Sequence, residues 1–321
     1  MRQTEKCIQC KACTRKCDML GKYDLTLGDT EKLKELAYHC FLCGECKTVC
    51  PVDIDGRDVF LEIRRNQVKE NDGKIKEGGY DMLIKEKANY IFRNYRHVTA
   101  GRVLFTGCNF PSYFPKTTKY LADLLEKRAG IGTIYDCCGK PVAELGLEKE
   151  ENDIIAELNK RLKKANVTEV IMLCPNCYYF LKDRLEVKVS GIYELLKELG
   201  IGKPISGGID LFLPCPDKME RRWLKEIEHF IPDGKRVVED VLCCGLGGCA
   251  SAKEPDVSKG FTNQLKERNY NSIYTYCGSC AGKFARDGMG NVYHVLTEIL
   301  ETEEKPDAAK SLLNRTMSKL W

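Results

Sequence analysis

The sequence predicts an α+β multidomain fold, a helical N-terminal domain followed by an α/β unit written twice. Two observations predict it. The first is the placement of the 19 cysteines, which are dense and regularly spaced in the first 50 residues, absent between Cys50 and Cys108, and more widely spaced thereafter. The second is that short apolar runs alternate with amphipathic helical segments across the C-terminal two thirds, and the cysteine spacing recurs with them. Alternating strands and helices of this kind build parallel α/β units.

The chain's 321 residues suit two or three domains, each large enough to bury a core. A hydrophobic content of 43% with 31% charged residues belongs to a globular chain rather than a disordered one. With 51 Lys+Arg against 47 Asp+Glu and a net charge of +4, no nucleic-acid footprint is expected. No apolar run reaches the roughly 18 residues of a membrane span, and residues 1–21 hold no signal-peptide core. The expectation is a cytoplasmic protein that meets a membrane only through a partner. In such a reducing setting, cysteines at repeated spacings point to metal or redox chemistry rather than disulfides.

Residues 1–70 form the first predicted domain. Cys7-x2-Cys10-x2-Cys13-x3-Cys17 and Cys40-x2-Cys43-x2-Cys46-x3-Cys50-Pro51 both have the spacing of a two-cluster ferredoxin, in which the fourth cysteine of each run ligates the other cluster. Cys7, Cys10, Cys13 and Cys50 are then assigned to one [4Fe–4S] cubane, and Cys17, Cys40, Cys43 and Cys46 to the other. Zinc would use four ligands, usually as two separated pairs. Asp18 stands where the usual run has proline. Asp29 or Thr30 is placed to cap a helix carrying Leu33, Leu36 and Ala37, and Val59, Phe60 and Ile63 suggest another. These helices favour an α-helical ferredoxin. His39, beside Cys40, either tunes a cluster by hydrogen bonding or simply packs, and packing is the plainer reading.

Residues 71–98 form a predicted connector, a polar loop over 69–79 and then a helix over roughly 80–95. The first α/β domain is placed at 99–205. Its strand Val103-Leu104-Phe105 ends at Gly107-Cys108, Ile134-Tyr135 leads to Cys137-Cys138-Gly139, and Val170 to Leu173 ends at Cys174-Pro175-Asn176-Cys177. The second domain, 206–303, repeats this with Leu211-Phe212-Leu213 and Cys215, Cys243-Cys244-Gly245, and Cys277-Gly278-Ser279-Cys280. Helices carrying Leu121, Leu124 and Leu125, then Ile154, Leu158 and Leu162, fill the gaps. Met219, Trp223, Ile227 and Phe230, then Val257, Phe261 and Leu265, match them in the second copy. Amphipathic segments over 192–199 and 292–300 end the copies. Each cysteine group falls at the C-terminal end of a strand, where open α/β sheets place their sites. The copies are expected to face each other across a pseudo-twofold axis. Adjacent cysteines reach one metal only in a sharp turn, which Gly139 and Gly245 permit. Five thiolates suit a larger or opened iron–sulfur cluster, or four of them a zinc or cubane site with one packed thiol. A helical tail, 304–321, carries Leu312, Leu313, Met317 and Leu320 on one face, to pack on the domain by default or to dock a partner.

These motifs resemble the CCG (cysteine-rich) domains of the catalytic subunit of heterodisulfide reductase, and their fusion to an N-terminal two-cluster ferredoxin resembles that enzyme's soluble iron–sulfur subunit. The iron–sulfur subunits of glycolate, lactate and glycerol-3-phosphate oxidising complexes are similar. The resemblance implies an α-helical ferredoxin domain followed by two duplicated α/β CCG domains, in an anaerobic cytoplasmic setting. It also implies noncubane-type [4Fe–4S] clusters as catalytic centres. Cys108, Cys137, Cys138, Cys174 and Cys177 would hold one. Cys215, Cys243, Cys244, Cys277 and Cys280 would hold the other, for which a cubane or zinc stays open because Gly278 replaces proline, Cys215 lies in Leu-Pro-Cys-Pro and Cys249 intrudes.

The expected function is an oxidoreductase subunit that passes electrons from a flavoprotein or other donor through the cubanes to centres that reduce a disulfide or related substrate. The alternative is a noncatalytic electron-transfer subunit of a flavoprotein complex, of the 2-hydroxyacid or glycerol-3-phosphate dehydrogenase type or a bifurcating one. No dinucleotide-binding or P-loop motif follows a predicted strand, so those cofactors would lie on partners. Lys116, Lys119, Lys140, Lys218, Arg221 and Arg222 are candidates for an anionic thiol substrate, although each reads more simply as a solvated surface charge. Eighteen cysteines are thereby placed, and Cys249 is left over.

Overall fold

The computed structural model describes residues 3–270 and 272–321; Met1 and Arg2, which open the expected N-terminal domain, and Asn271 lie outside the described residues. The chain divides into two compact units. One joins Met1–Ala88 with Pro141–Asn152 and Asp240–Glu267, and the other joins Asn89–Lys140, Asp153–Glu239 and Arg268–Trp321.

In the first unit the N-terminal stretch is helical. Ala12–Lys16, Asp18–Lys22, Thr30–Glu35, Gly56–Glu70 and Asp81–Lys87 are its α-helices, and among the described residues no strand precedes Asn94. The long helix Gly56–Glu70 starts because the Asp55 carboxylate accepts from the Arg57 N–H at 2.9 Å, relieving one of the unpaired donors at a helix start. It persists because Val59, Phe60, Ile63 and Val68 bury one face. Asp29 does occupy the position before Thr30, but its carboxylate accepts from Thr26 N (2.6 Å) and Oγ1 (2.7 Å) and makes no cap bond. Its stronger local partner won. The helix Pro255–Glu267, with Phe261 and Leu265 buried, also belongs to this unit.

The second unit contains two sheets. Strands β1 (Asn94–His97), β2 (Gly101–Phe105), β3 (Gly132–Tyr135), β4 (Val167–Met172) and β5 (Lys188–Gly191) form the first, in the order β1-β3-β2-β4-β5. Strands β6 (Ile209–Phe212), β7 (Lys235–Val238), β8 (Ile273–Thr275) and β9 (Val292–His294) form the second, in the order β7-β6-β8-β9. All pairings are parallel except β1 with β3. The central strands are apolar runs buried on both faces, with Val103, Leu104, Val170 and Ile171 fully inaccessible. Setting β1 aside, both sheets run second, first, third, fourth.

Several expected elements differ. The helix expected over 80–95 stops at Lys87, and Asn94–His97 forms the antiparallel edge strand. Asn94 holds that turn by donating to Ser318 O (3.2 Å) and Trp321 O (2.7 Å) while accepting from Arg96 N. The segments closing the copies each begin with a short fourth strand before the helices Ile192–Glu198 and Val295–Ile299. Met219 does not join Trp223 and Ile227 inside; it is 57% exposed, because the helix begins only at Arg222. The tail helix Ser311–Ser318 docks through its polar side, with Asn314 donating to Ser112 O (3.0 Å) and Ser112 Oγ donating to Ser311 O (2.8 Å). Leu312, Leu313, Met317 and Leu320 consequently stay exposed, against the packing expected of them.

Candidate metal centres

Two hollows open in the first unit. One is lined by Cys7, Cys10, Cys13 and Cys50, with Leu27, Val52 and Ile54 among its walls. The other is lined by Cys17, Cys40, Cys43 and Cys46 and closed by Phe41, Phe60, Leu242 and Phe261. Each takes three cysteines from one run and the fourth from the other run. The loops achieve this with left-handed backbone at matching places: Gln9 and Lys11 flank Cys10, and Leu42 and Gly44 flank Cys43, all at φ between +52° and +82°. Non-glycine residues enter that region at roughly 1–2 kcal/mol each, and such strain concentrates at functional sites. Two glycines let backbone abut the sulfurs. A Cβ at Gly56 would sit 2.4 Å from Cys46 Sγ, and one at Gly28 would sit 2.9 Å from Cys7 Sγ.

The second hollow is electrostatically hostile to bare thiolates. Burial, reinforced by the neighbouring Cys17, pushes the Cys40 thiol up to about 12. Burial likewise raises Cys17, Cys43 and Cys46. Four sulfurs around an apolar cavity become anions only with positive charge between them, which iron supplies. The donor set therefore fits an iron–sulfur cluster.

His39 is held rather than solvated. Its Nδ1 lies 2.6 Å from Glu254 Oε1, and the inaccessible Glu254 also accepts from Tyr23 Oη (2.6 Å) and Lys22 Nζ (2.6 Å). Those hydrogen bonds outweigh desolvation and keep the Glu254 carboxyl below its ordinary range. Glu254 was missed in the sequence because nothing local marks it.

In the second unit the cysteines of the first copy gather at the ends of β2, β3 and β4. Cys108 and Cys137 pack together with Tyr90 and Phe92. The Cys138 thiol is held well below its usual range by Cys137 and Cys177. Gly107 (φ +69°) lies against the C-P-N-C turn, where a Cβ would be 3.1 Å from Cys177 Sγ. Gly139 (φ +85°) makes the turn after the adjacent pair, with Ile154 3.0 Å from its would-be Cβ. The cysteines of the second copy divide. Cys215, Cys277 and Cys280 belong to this unit, and Cys243 and Cys244 belong to the other. There Gly245 (φ +82°) makes the corresponding turn, Ser258 O lies 2.4 Å from its would-be Cβ, and its N–H donates to Cys243 Sγ at 3.2 Å.

Within the second unit the two copies touch through cysteines. Cys174 and Cys280 hold the Cys277 thiol well below its usual range, and Asn176 Nδ2 donates to Cys277 Sγ at 3.3 Å. Asn109, next to Cys108, donates to Ser279 Oγ at 2.6 Å. Gly278 stands where proline is usual, and Phe110 lies close beside it: a Cβ there would be 3.3 Å from Phe110 Cα. On the reciprocal side, the buried Asp217, two residues after Cys215, accepts from Tyr179 and from Tyr276 (2.5 Å) and caps Trp223 N (3.1 Å) and Leu224 N (2.9 Å). The basic residues singled out in this half are engaged. Arg221 pairs with Glu239 and Arg222 with Glu226 and Glu194, while Lys218 lies over the Phe212 ring. Cys249 is in the first unit, its Sγ donating to Pro141 O at 3.7 Å.

The 4Fe-4S dicluster domain family matches residues 6–55, and the cysteine-rich CCG domain family matches residues 103–182 and 231–285. An iron–sulfur protein of Methanococcus maripaludis is 26% identical, over 85% of this chain and 66% of that protein, so the chain spans just under two thirds of its length. A subunit of the dihydromethanophenazine:CoB–CoM heterodisulfide reductase of Methanosarcina acetivorans is 24% identical over 83% of this chain and 76% of its own. A subunit of the fumarate reductase (CoM/CoB) of Methanothermobacter marburgensis is 23% identical over 89% and 69%. Among solved structures, Picrophilus torridus aspartate racemase matches 68% of this chain and 99% of its own at 10% identity, with a TM-score of 0.32 that is too low to bear on fold or function. With two cysteine runs that interleave around paired hollows, the chain carries a 4Fe-4S dicluster domain joined to cysteine-rich CCG sequence, and it is similar to an iron–sulfur protein and to subunits of heterodisulfide and fumarate reductases.

Proposed function

We propose that the chain is an oxidoreductase subunit that receives electrons from a flavoprotein or other donor subunit and delivers them to a disulfide or related substrate. In this reading Cys7, Cys10, Cys13 and Cys50 hold one cubane [4Fe–4S] cluster, and Cys17, Cys40, Cys43 and Cys46 hold the second. Cys108, Cys137, Cys138, Cys174 and Cys177 hold a noncubane-type cluster, and Cys215, Cys243, Cys244, Cys277 and Cys280 hold its counterpart. The domain boundaries are those read from the sequence, with the two α/β copies related by duplication and a pseudo-twofold axis. The shared strand order of the two sheets supports that relation. When bound, the clusters supply one-electron steps, which are the cofactor's chemistry rather than the protein's.

The observation that carries the proposal is the meeting of Cys174 with Cys277, the first cysteines of the two C-x2-C turns, in one buried network. Two such turns side by side give a two-electron substrate a matched pair of one-electron sites. Asn109 and Asn176 fix the mutual placement of the turns, and Phe110, Phe114 and His294 pack behind them. Among the described residues no helix is long and apolar enough to cross a membrane, so membrane association, if the partner has it, is the partner's. The exposed stripe Leu312, Leu313, Met317 and Leu320 gives such a partner an apolar face. We place the protein in an anaerobic cytoplasm.

A relay without substrate chemistry is the second reading, favoured by the relative named as part of a fumarate reductase. The test reduces anaerobically purified, cluster-complete protein and adds disulfides. Stoichiometric oxidation with thiol release supports disulfide reduction. Inertness toward disulfides with rapid exchange with a flavoprotein supports the relay, and zinc without iron or sulfide refutes both.

A further inference from the structure

Arg64 is completely buried in the helix Gly56–Glu70. Its guanidinium donates to four backbone carbonyls: Nε to Ala37 O (2.8 Å), Nη1 to Glu144 O (2.5 Å) and Gly248 O (2.9 Å), and Nη2 to Cys40 O (2.9 Å). Its face lies 5.0 Å from the centre of the Tyr38 ring. All four acceptors are neutral, and among the described residues no carboxylate pairs with it. A buried charge left uncompensated costs several kcal/mol, and hydrogen bonds to carbonyls satisfy the N–H groups without cancelling the charge. Besides Glu77, which acts with Arg64 on Tyr38 and Tyr80, two features of this unit bring negative charge to that spot. One is Glu144, whose carboxylate accepts from Gly248 N at 3.2 Å. The other is the set of sulfurs around the hollow lined by Cys17, Cys40, Cys43 and Cys46, where Arg64 is among the groups that favour the Cys40 thiolate.

We infer that Arg64 is the built-in counter-charge of the cluster held by Cys17, Cys40, Cys43 and Cys46, and that it raises that cluster's reduction potential selectively. The inference rests on the ligand assignment proposed above. A cluster bound by four thiolates is net anionic and becomes more so on accepting an electron, so a fixed cation nearby favours the reduced form; net charge and hydrogen bonding are among the protein's means of setting such potentials. The hydrogen bonds aim the charge. Gly248 must be glycine for this arrangement, because a Cβ there would lie 2.2 Å from Cys40 O. Arg64 is thus a positioning and tuning residue, and it touches neither substrate nor reacting atoms.

The test is an anaerobic redox titration of the full chain, followed by the paramagnetic resonance signals of its reduced cubanes, with iron content measured in parallel. Arg64→Gln removes the charge and keeps an amide donor. We expect it to lower the reduction equilibrium of one cubane at least tenfold, 59 mV for one electron, and to leave the other unmoved. Arg64→Lys keeps a charge but breaks the four-carbonyl fan, and is expected to stay within threefold of the native value. Unchanged titration of a fully loaded Arg64→Gln protein overturns the inference, as does an equal shift in both cubanes. If Arg64→Gln fails to load iron, the lysine variant decides, and a tenfold fall in it means that geometry rather than charge sets the potential. A separate variant, Cys40→Ser, isolates the ligand assignment: if both native cubane signals survive it, that assignment fails before the role of Arg64 is reached.

Discussion

Replacing Gly282 by alanine tests the packing of the two copies. In the helix Gly278–Arg286 a Cβ at this position would lie 2.2 Å from Tyr113 Cζ, where ordinary contact begins at 3.4 Å. The ring would therefore have to move by about 1.2 Å, the difference between those two distances. It is poorly placed to do so. Tyr113 is 4% exposed, its hydroxyl accepts from Arg286 Nη2 at 2.7 Å, and its carbonyl accepts from Asp307 N at 2.9 Å. Overpacking of this kind costs about 1–3 kcal/mol, while replacing glycine by alanine inside a helix returns roughly 1 kcal/mol. The expected outcome is a net loss of up to about 2 kcal/mol. Tyr113→Ala alone should cost about 3–5 kcal/mol, by analogy with other large aromatic truncations. In its background the added methyl enters the vacated space, so Gly282→Ala should become stabilising by roughly 1 kcal/mol. The change of sign is the signature, and it corresponds to a favourable coupling of about 1–3 kcal/mol. Unfolding of a multi-unit metalloprotein is not two-state, so the assay is hydrogen exchange of the amides over 278–286 in cluster-loaded protein. Stabilisation by Gly282→Ala with Tyr113 in place would refute the reasoning, since propensity alone predicts it.

Three further outcomes follow from single residues. Burial holds His294 neutral, with its pKa pushed down to about 3 against roughly 6.5 in an unfolded chain. Between those values only the unfolded state binds the proton, so stability falls as pH drops through 6.5, by about 1.4 kcal/mol between pH 7.5 and 5.5. His294→Asn, which retains an acceptor for the Leu296 N–H, should remove that slope in protection of residues 292–300, and an identical slope in the variant would count against it. Gly248→Ala adds a methyl to a residue at φ +62° and 2.2 Å from Cys40 O. It is expected to cost more than about 2 kcal/mol, from overpacking and left-handed strain together, and to lower iron content, whereas native melting and native iron would argue against the close approach. Cys249→Ser should retain the full iron complement, because its Sγ is directed at the Pro141 carbonyl; the loss of a cluster would make Cys249 a ligand.

The sequence was most legible where chemistry and periodicity coincide. Cysteine spacing in the first 50 residues is local, so the two runs could be read directly; three strands of the first copy and the first strand of the second were visible as apolar runs ending near cysteines, while β7 and β8 were inferred only from the repeated cysteine spacing. What escaped depends on distant partners. The fourth strands, Lys188–Gly191 and Val292–His294, have three or four residues and exist because β4 and β8 offer them an edge. Arg64 could have been noticed as a charge inside the apolar face formed by Val59, Phe60 and Ile63, but its acceptors come from three separate stretches of chain. Glu254 is called into the interior by Lys22, Tyr23 and His39, more than 200 residues away in sequence. The polar docking of the tail reversed the expectation for its apolar stripe, because Asn314 and Ser318 found partners that no helical wheel reveals.

One departure of the second copy from the usual cysteine motif, Gly278, lies at a close contact with the first copy. A Cβ at Gly278 would press on the backbone of Phe110 at 3.3 Å, and one at Gly282 would clash with the ring of Tyr113 at 2.2 Å, both from the first copy. The same reciprocity appears at the ends of the fourth strands. Gly191 pairs with Met172 as His294 pairs with Thr275, so the two occupy matching ladder positions. A side chain at Gly191 would displace the Glu226 carboxylate, 2.6 Å from its would-be Cβ, and meet Trp223 at an ordinary contact of 3.4 Å. At the matching place His294 fills the space and packs edge-on against Phe110 and Phe114, with ring centres 4.9 and 5.2 Å away. Where one copy is hollowed the other is filled. Two faces that must interlock cannot keep identical side chains at matching positions unless each is complementary to itself. Close packing between the copies therefore favours divergence at such matching positions.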